Sequence, residues 1–256
     1  MKGAALTEVA GIVRRADPDR FLATMAAPAA MRPPLLALYA LNAELARAPW
    51  AASEPLLAEM RIQWWRDALA DVAAGRPRDD HPALVLLSRM PALPADRLDT
   101  LAAARRRDID PEPFADLDAL MVHLAETAGN LLALAALATG RPGAVATAEA
   151  AGIGQGAANW LLALPAYAAR GRRPLPAGMA PAEAVAAIAG EGLSSLVRAR
   201  GLGAAGAAPV LRAAWRAQPI LSAARRRPRA ALEGTLGGSE FARRGRLLLK
   251  ALTGGW

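Results

Sequence analysis

Residues 60–69 read MRIQWWRDAL, and the segment before them, residues 38–47, reads LYALNAELAR. On a helix Arg61 and Trp65 are i,i+4 neighbours, so the guanidinium group can lie on the indole ring. Two large aromatic side chains, with arginine stems over apolar surface, would also anchor a helical bundle without any other role. Two adjacent tryptophans followed by Arg-Asp are nevertheless an uncommon string, and this string guides the interpretation of the rest of the chain.

Helix signals recur along the chain between prolines and glycines, whereas no alternation of β-branched residues indicates a strand. Asp17 followed by Pro18 predicts an N-cap and a first helical position, and Asp80 is expected to cap a short helix. No repeat or long linker divides the chain, so we expect one all-α domain over residues 1–256, with antiparallel helices joined by short loops. Further helices are expected at 33–48, 53–75, 80–89, 94–107, 116–139, 143–169, 181–189, 192–200, 207–217, 220–232 (interrupted at Pro228) and 239–252.

Composition limits the chemistry that the chain can support. The sequence is 54% hydrophobic, largely through alanine, and carries 31 Lys and Arg against 23 Asp and Glu, a formal net charge of +8. Heavy use of Ala, Arg, Gly and Pro also follows from a GC-rich genome, so we expect no nucleic-acid partner despite this charge. The absence of cysteine excludes disulfides and thiolate metal sites, and it is compatible with a reducing cytoplasm.

Two segments bear on localisation. The start, MKGAALTEVAGIVRRADPDR, does not read as a signal peptide, because Glu8 interrupts its apolar stretch and the arginines follow that stretch. The uncharged run 150–169 is long enough to span a bilayer, but its glycines, Gln155, Asn159 and Pro165 favour a buried helix. We therefore expect a cytoplasmic protein and leave a peripheral position at the inner membrane open.

The string at 60–69 resembles a helix of the squalene/phytoene synthase family, which reads close to W-W-R-x-E/A-L. Further strings carry the resemblance, which is clearest over 17–176 and fades over 177–256. The resemblance implies a single helical bundle of the isoprenoid synthase type, in which His123 stands where the family often has tyrosine. The additional strings are DPDRF at 17–21, RRRDIDPEPF at 105–114, HLAETAGNLLALA at 123–135, GIGQGAANWLLALP at 152–165 and RGRRPLP at 170–176.

The family holds Mg²⁺ with two aspartate clusters, and this chain departs from the family at both. The G-R-x-x-L-P ending at 171–176 matches the family, so the register of the second cluster is fixed on both sides and its aspartates are substituted. Counted from Tyr39 and from Asn159, the expected ligand positions hold Ala46, Arg47 and Trp50 in the first cluster, and Ala163, Ala166 and Tyr167 in the second.

The loss of these carboxylates affects both the cofactor and the reaction. Mg²⁺ needs oxygen ligands, and it stabilises the charge left on diphosphate when an allylic diphosphate ionises. Alanine offers no ligand and Arg47 would repel a metal, although arginine can bind diphosphate by itself. We therefore expect no cofactor, no metal ligand and no catalytic residue, with Mg²⁺ required only if the chain is a transferase.

Other acidic residues could replace the lost ligands. Asp67 and Asp71 share a helix face, but they stand one helix after the family's first cluster, which favours a solvated face. The acidic step DIDPE at 108–112, beside a run of arginines, is expected to form caps and surface ion pairs. Glu44 could instead pair with an arginine inside the bundle and replace a metal site by an ion pair.

The histidines, the glycine-rich string and the tail favour structural roles. His81 and His123 do not predict a zinc site, and His123 is expected to be a polar group of the core or cavity. GIGQG does not follow a strand, so its glycines are expected to permit close helix packing rather than to bind a dinucleotide. The basic segments ARRRPRAALEG and FARRGRLLLKAL predict a solvated face, with contact to a membrane surface or an acidic partner as the alternative.

LNAELA at 41–46 and RIQWWRDAL at 61–69 are similar to FN-x-E-A and RLQWWRDAL, strings of an aspartate-depleted branch of the family that includes a mitochondrial assembly factor for respiratory complex I. This likeness implies a non-catalytic protein that supports assembly of a membrane-associated complex through a protein partner. The alternatives are a Mg²⁺-dependent head-to-head prenyl transferase acting on farnesyl or geranylgeranyl diphosphate, and a module that binds an isoprenoid or anionic lipid without turnover. Candidate cavity residues are Tyr39, Asn42, Glu44, Arg47, Arg61, Trp64, Trp65, Arg66 and Asn159.

Overall fold

Helices make up the regular structure of the protein in a computed structural model that describes residues 2–51, 54–204, 206–237 and 240–256. No strand occurs in these ranges, which confirms the predicted all-α class. The helices are α1 Lys2–Ala16, α2 Pro18–Met25, α3 Arg32–Arg47, α4 Pro55–Ala73, α5 Pro82–Leu87, α6 Ala95–Ala103, α7 Leu117–Leu124, α8 Asn130–Ala138, α9 Val145–Ala168, α10 Pro181–Leu202, α11 Ala208–Leu211, α12 Ala217–Arg226, α13 Pro228–Leu232 and α14 Glu240–Leu252. The helix start expected at Ser53 lies outside the described residues.

Helix starts follow the capping signals of the sequence in most places. Asp17 Oδ1 accepts a hydrogen bond from the Arg20 amide at 2.9 Å, which confirms Asp17 as the cap of α2. At α5 the prediction is wrong by one residue, because His81 Nδ1 accepts from the Ala83 amide at 3.2 Å. The carboxylate of Asp80 instead bonds a nearby arginine side chain. An aromatic ring nitrogen thus does the capping that a carboxylate was expected to do.

The predicted break between 189 and 192 is also wrong, because α10 continues through both glycines there. A Cβ atom added at Gly192 would lie 2.8 Å from the Cβ of Ala157 on α9. Glycine at this position therefore allows close approach of α10 to α9 rather than ending a helix.

The segment from α7 to α8 is one continuous helix with a π-helical turn at Ala125–Gly129, a turn that the sequence does not announce. Within that turn the Thr127 hydroxyl donates to the His123 carbonyl at 2.6 Å. Leu117–Ala138 is the one stretch in the described ranges that is long and apolar enough to cross a membrane. Of its most apolar window, 72% is buried inside the bundle, so packing in the core accounts for its hydropathy.

α9 is the central helix and packs closely on both α8 and α10. A Cβ added at Gly152 would lie 2.4 Å from the Ala128 carbonyl oxygen, and one added at Gly154 would lie 2.6 Å from the Leu196 side chain. These distances confirm that the GIGQG glycines permit close helix packing. α3 is buried without a break from Leu35 to Leu41, so it is also firmly packed in the core. The candidate site lies between the last turns of α3 and α9.

Candidate functional site

A cavity of about 470 Å³ lies between the last turns of α3 and α9. The six positions at which the resemblance places metal-binding aspartates all line it, and so do the candidate residues Tyr39 and Asn42. The wall is formed by Ala16, Asp17, Arg20, Tyr39, Asn42, Ala43, Ala46, Arg47, Trp50, Ala163, Ala166, Tyr167 and Arg170.

The side chains around this cavity do not fit a Mg²⁺ site. Asp17 supplies the one carboxylate among the lining residues, and it is already bound to the α2 amide and to Arg20, whose Nη1 lies 3.3 Å from its Oδ2. Within the described part of the chain, no group of three or more His, Asp and Glu side chains could hold a metal ion. Because Mg²⁺ depends on carboxylate and other oxygen ligands, the methyl groups of Ala46, Ala163 and Ala166 cannot replace the aspartates.

Arg20 is a buried cation in the cavity wall, 5% exposed. Its Nη2 donates to Gln155 Oε1 at 3.1 Å, and its guanidinium lies 5.4 Å from the centre of the Tyr39 ring. Its Nε has no hydrogen-bond partner among the residues that the structure describes. Burial raises the pKa of Tyr39 to about 12, with the charge of Arg20 acting in the opposite direction and that of Asp17 adding to the rise. The wall therefore offers a guanidinium and a neutral phenol hydroxyl.

Aromatic rings fill the place where the two altered clusters meet. Trp50 and Tyr167, at the last position of each cluster, have ring centroids 5.7 Å apart, and Tyr167 packs on Trp160 at 4.9 Å. The guanidinium groups of Arg170 and Arg172 each lie 4.9 Å from the centre of the Trp50 ring. Burial is the main cause that raises the pKa of Tyr167 to about 12. A stack of rings and cations thus connects the ends of α3 and α9 where the resemblance would place a bound metal.

A buried polar network lies behind this stack and involves Asp108, Arg105, His123 and Asn42. Asp108 accepts from Arg105 at 3.1 Å and lies 3.2 Å from His123 Nε2, while Arg105 Nη2 donates to Asn42 Oδ1 at 3.0 Å. Burial alone would raise the pKa of Asp108, but the hydrogen bond from His123 and the charge of Arg105 hold it below its usual value. The expectation of a surface ion pair is therefore wrong for Asp108, and His123 is a buried polar group beside the cavity, as expected.

A second, smaller cavity of about 190 Å³ lies between α3 and α4. Arg47 pairs with Glu44, its Nε lying 3.2 Å from Glu44 Oε2, but the Arg47 side chain is 68% exposed. The expectation of an ion pair inside the bundle is therefore wrong, since the pair sits at the surface. Trp65 meets the rings of Trp64 and His81, each at 4.9 Å, so its neighbours are aromatic. The lining residues are Glu44, Arg47, Ala48, Ala51, Arg61, Trp64 and Trp65.

Two candidate residues lie outside both cavities. Arg66 forms a two-pronged pair with Asp99, at 2.7 Å from Nε to Oδ1 and 3.0 Å from Nη2 to Oδ2, which ties α4 to α6. The hydrogen bond from Arg66 lowers the pKa of Asp99. Asn159 is exposed on α9. Asp71 binds Arg76 and Arg78 by 2.7 and 2.8 Å contacts, in keeping with the solvated face expected for it.

Sequence reasoning missed Arg20, Gln155 and Arg170 as parts of the site. Arg20 and Gln155 are 135 positions apart, so their contact forms only in the folded chain, although Gln155 lies on the same helix as the second cluster. The string DPDRF does carry Arg20, at the third position of α2, and a cation in the first turn of a helix is unfavourable because of the helix dipole. That unfavourable placement is the signal that could have identified it.

Comparisons with known proteins agree with this geometry. The model of one protein family, described as squalene/phytoene synthase, matches residues 13–239. Squalene synthase HpnC from Alicyclobacillus acidocaldarius superposes with a TM-score of 0.72 over 87% of this chain and 94% of that chain. A dehydrosqualene synthase in complex with a ligand gives a TM-score of 0.72 over 98% and 96%. Both structures are 16% identical in sequence to this chain, so they show a shared fold alone.

Curated relatives carry a different description. Complex I assembly factor 6 of NADH dehydrogenase (ubiquinone) from Bos taurus is 28% identical over 169 residues, and the Homo sapiens protein is 27% identical over 169 residues. Each match covers 64% of this chain and 51% of the relative. The chain thus spans about half the length of the curated relatives it matches.

Proposed function

Since the chain belongs to the squalene/phytoene synthase family, we propose that it is a non-catalytic member that supports assembly of respiratory complex I. The observation that carries this proposal is the cavity between α3 and α9. It lies where the family resemblance places the metal-binding aspartates, while alanine, arginine and aromatic side chains stand at those positions. The curated relatives, which are described as complex I assembly factors, support the second half of the proposal.

The physical case against turnover is electrostatic. When an allylic diphosphate ionises, negative charge develops on the diphosphate leaving group and must be stabilised by positive charge. In metal-dependent sites, bound metal cations supply that positive charge. Arg20 and Arg170 could contact an anion, but Arg20 is already bound to Asp17 and Gln155, and Arg170 lies over the Trp50 ring. The side chains of this cavity can therefore bind an anion, but they cannot bind the metal cations that the reaction needs.

The proposed site of action is the cytoplasmic face of the inner membrane, where the protein would contact a subunit or subcomplex. The direct test is deletion of the gene in the organism that encodes it. We expect NADH:quinone oxidoreductase activity and the amount of assembled complex to fall severalfold, with succinate:quinone oxidoreductase activity, carotenoids and hopanoids unchanged. The wild-type gene, reintroduced, should restore the oxidoreductase.

The opposite result, an unchanged oxidoreductase with lost carotenoids or hopanoids, would favour the transferase instead. A second assay addresses chemistry alone: the purified protein is incubated with farnesyl or geranylgeranyl diphosphate and Mg²⁺. We expect no release of pyrophosphate above that of heat-inactivated protein, and saturable release would contradict the non-catalytic assignment.

A further inference from the structure

The last helix, α14, presents apolar side chains to solvent on the side away from the bundle. Leu247 points inward and packs on Ala23 and Trp215, which fixes the orientation of the helix. Leu248, Leu249 and Leu252 are 60%, 60% and 77% exposed. Leu248 and Leu252, at positions i and i+4, share the face of α14 that is turned away from Leu247. Leu249 lies beside them at the rim of the groove between α14 and the bundle, and the three leucines form the leucine surface.

Cations surround this leucine surface and the groove beside it. The groove, about 550 Å³, separates α14 from α10 and α12, and Arg200, Arg246 and Lys250 line it. No carboxylate side chain is among its described lining residues. Burial lowers the pKa of Lys250, and the charges of Arg200 and Arg246 lower it further. Lys250 Nζ donates to the Trp256 carbonyl oxygen and Arg200 Nη2 donates to Gln218 Oε1 at 2.6 Å, so both cations are held in place by uncharged side-chain or backbone groups of the groove.

The positive surface extends along α12. Gln218 and Ser222 line the groove, and Arg225 and Arg226, one turn further on, continue the same face and are exposed. No ion pair is recorded for these two arginines in the described part of the structure. An apolar helix face whose charged neighbours among the described groove residues are all cations is complementary to one kind of surface, a bilayer with anionic phospholipids.

We propose that α14 docks the protein on anionic phospholipid bilayers, with Leu248, Leu249 and Leu252 entering the interface and Arg246, Lys250 and Arg200 meeting the phosphates. A protein partner would be expected to meet a flank that contains both charges. The exposed apolar face of α4 has such a flank, since Glu59 and Arg61 lie beside Leu56, Leu57 and Met60. The two surfaces therefore differ in charge although both expose large apolar side chains.

The test is co-sedimentation of the full chain with phosphatidylcholine vesicles that contain or lack phosphatidylglycerol. We expect binding only to the anionic vesicles, weakening as salt rises. L248S/L249S/L252S should lose at least about tenfold in partitioning, and R246Q/K250Q about thirtyfold, because each cation near an anionic surface contributes roughly a factor of five. The matched control L56S/L57S/M60S removes as much exposed apolar surface from α4 and should bind as the wild type does.

Circular dichroism melts establish that each variant is folded before binding is scored. The proposal is overturned if the wild type ignores anionic vesicles, or binds neutral ones equally, or if the α4 variant loses binding and the α14 variant keeps it. It is also overturned if sedimentation equilibrium shows a dimer that the α14 substitutions abolish, because the leucine surface would then be covered by a second copy. These outcomes do not depend on complex I, so the assembly role stands or falls separately.

Discussion

At the scale of single residues, the site shows how a metal centre can be replaced by ring and cation contacts. An aspartate pair facing another across a cavity is stable only with cations between them, since like charges in a poorly hydrated space repel. Trp50 and Tyr167 carry no charge at two of these positions and pack on each other. The guanidinium groups of Arg170 and Arg172 lie against the Trp50 ring. We therefore expect the cavity to be stable in the folded protein without a bound metal ion.

Restoring carboxylates should reverse this change. We expect A46D/A163D/Y167D to gain Mg²⁺ affinity by at least about tenfold over the wild type, because three further carboxylates would then line the cavity beside Asp17. Isothermal titration calorimetry measures the affinity. The control A46D/A163D/N159D adds the third charge at an exposed position of α9 and should gain less. A folded triple variant with wild-type Mg²⁺ binding would show that these positions do not form one site.

The buried carboxylate of Asp108 should make the free energy of unfolding depend on pH in the acid range. Its pKa lies below its ordinary value of 3.8 in the folded protein, so its stabilising effect is complete above that value and is lost as pH falls further. D108N should lower the free energy of unfolding by about 3 kcal/mol at pH 7, since it leaves Arg105 buried with a neutral partner. Below pH 3.8 the difference in free energy of unfolding between the wild type and D108N should become smaller.

Urea denaturation at a series of pH values measures both effects. D110N is the matched control, because Asp110 pairs with Arg107 at 3.1 Å but is 50% exposed. It should cost at most about 1 kcal/mol, the range of a solvated pair. Equal losses for the two variants would mean that the Asp108 network does not stabilise the fold.

At the scale of helices, α9 depends on glycine where its neighbours come closest. G152A should destabilise the protein by about 1–3 kcal/mol, because the new Cβ would meet the Ala128 carbonyl, a backbone atom that cannot move aside. G190A is the control on α10, where nothing lies within 4 Å of the added Cβ. It should stabilise by up to about 1 kcal/mol through helix propensity. Thermal and urea unfolding measure both, and a neutral G152A would contradict the close packing.

The sequence predicts a helix boundary where contacts within the same turn determine it. It does not predict those parts of the site that depend on contacts between residues far apart in the chain. Asp17 and Asp116 bind amides within their own first turn, so local sequence suffices to place them. The break expected near Gly192 failed because contact with Ala157, a long-range feature, decides that position. The altered ligand positions follow from their spacing to Tyr39 and to Asn159 in the sequence. The contact between Arg20 and Gln155 forms only in the folded protein.

At the scale of the whole molecule, two groups of cations within a chain of net charge +8 lie in different surroundings. Arg20, Arg47 and Arg170 line the cavity, while Arg200, Arg246 and Lys250 line the groove beside α14. The cavity cations stand next to a carboxylate or an aromatic ring. In the groove, Arg200 lies over the Trp256 ring and Lys250 donates to the Trp256 carbonyl oxygen, but no carboxylate side chain is among the described lining residues. We therefore expect the groove, rather than the cavity, to attract anionic lipids.

Thermal stability should reveal whether metal and anion act together on the cavity. A ligand that binds the folded state raises the unfolding midpoint, and a metal that bridges diphosphate raises it only when both are present. Because the cavity lacks Mg²⁺ ligands, we expect the midpoint in pyrophosphate to be the same with Mg²⁺ as with EDTA. Scanning calorimetry measures it, with a family member that keeps both aspartate clusters as the positive control. A midpoint that rises only with Mg²⁺ and pyrophosphate together would contradict the metal-free assignment, since only joint binding to the folded protein couples the two.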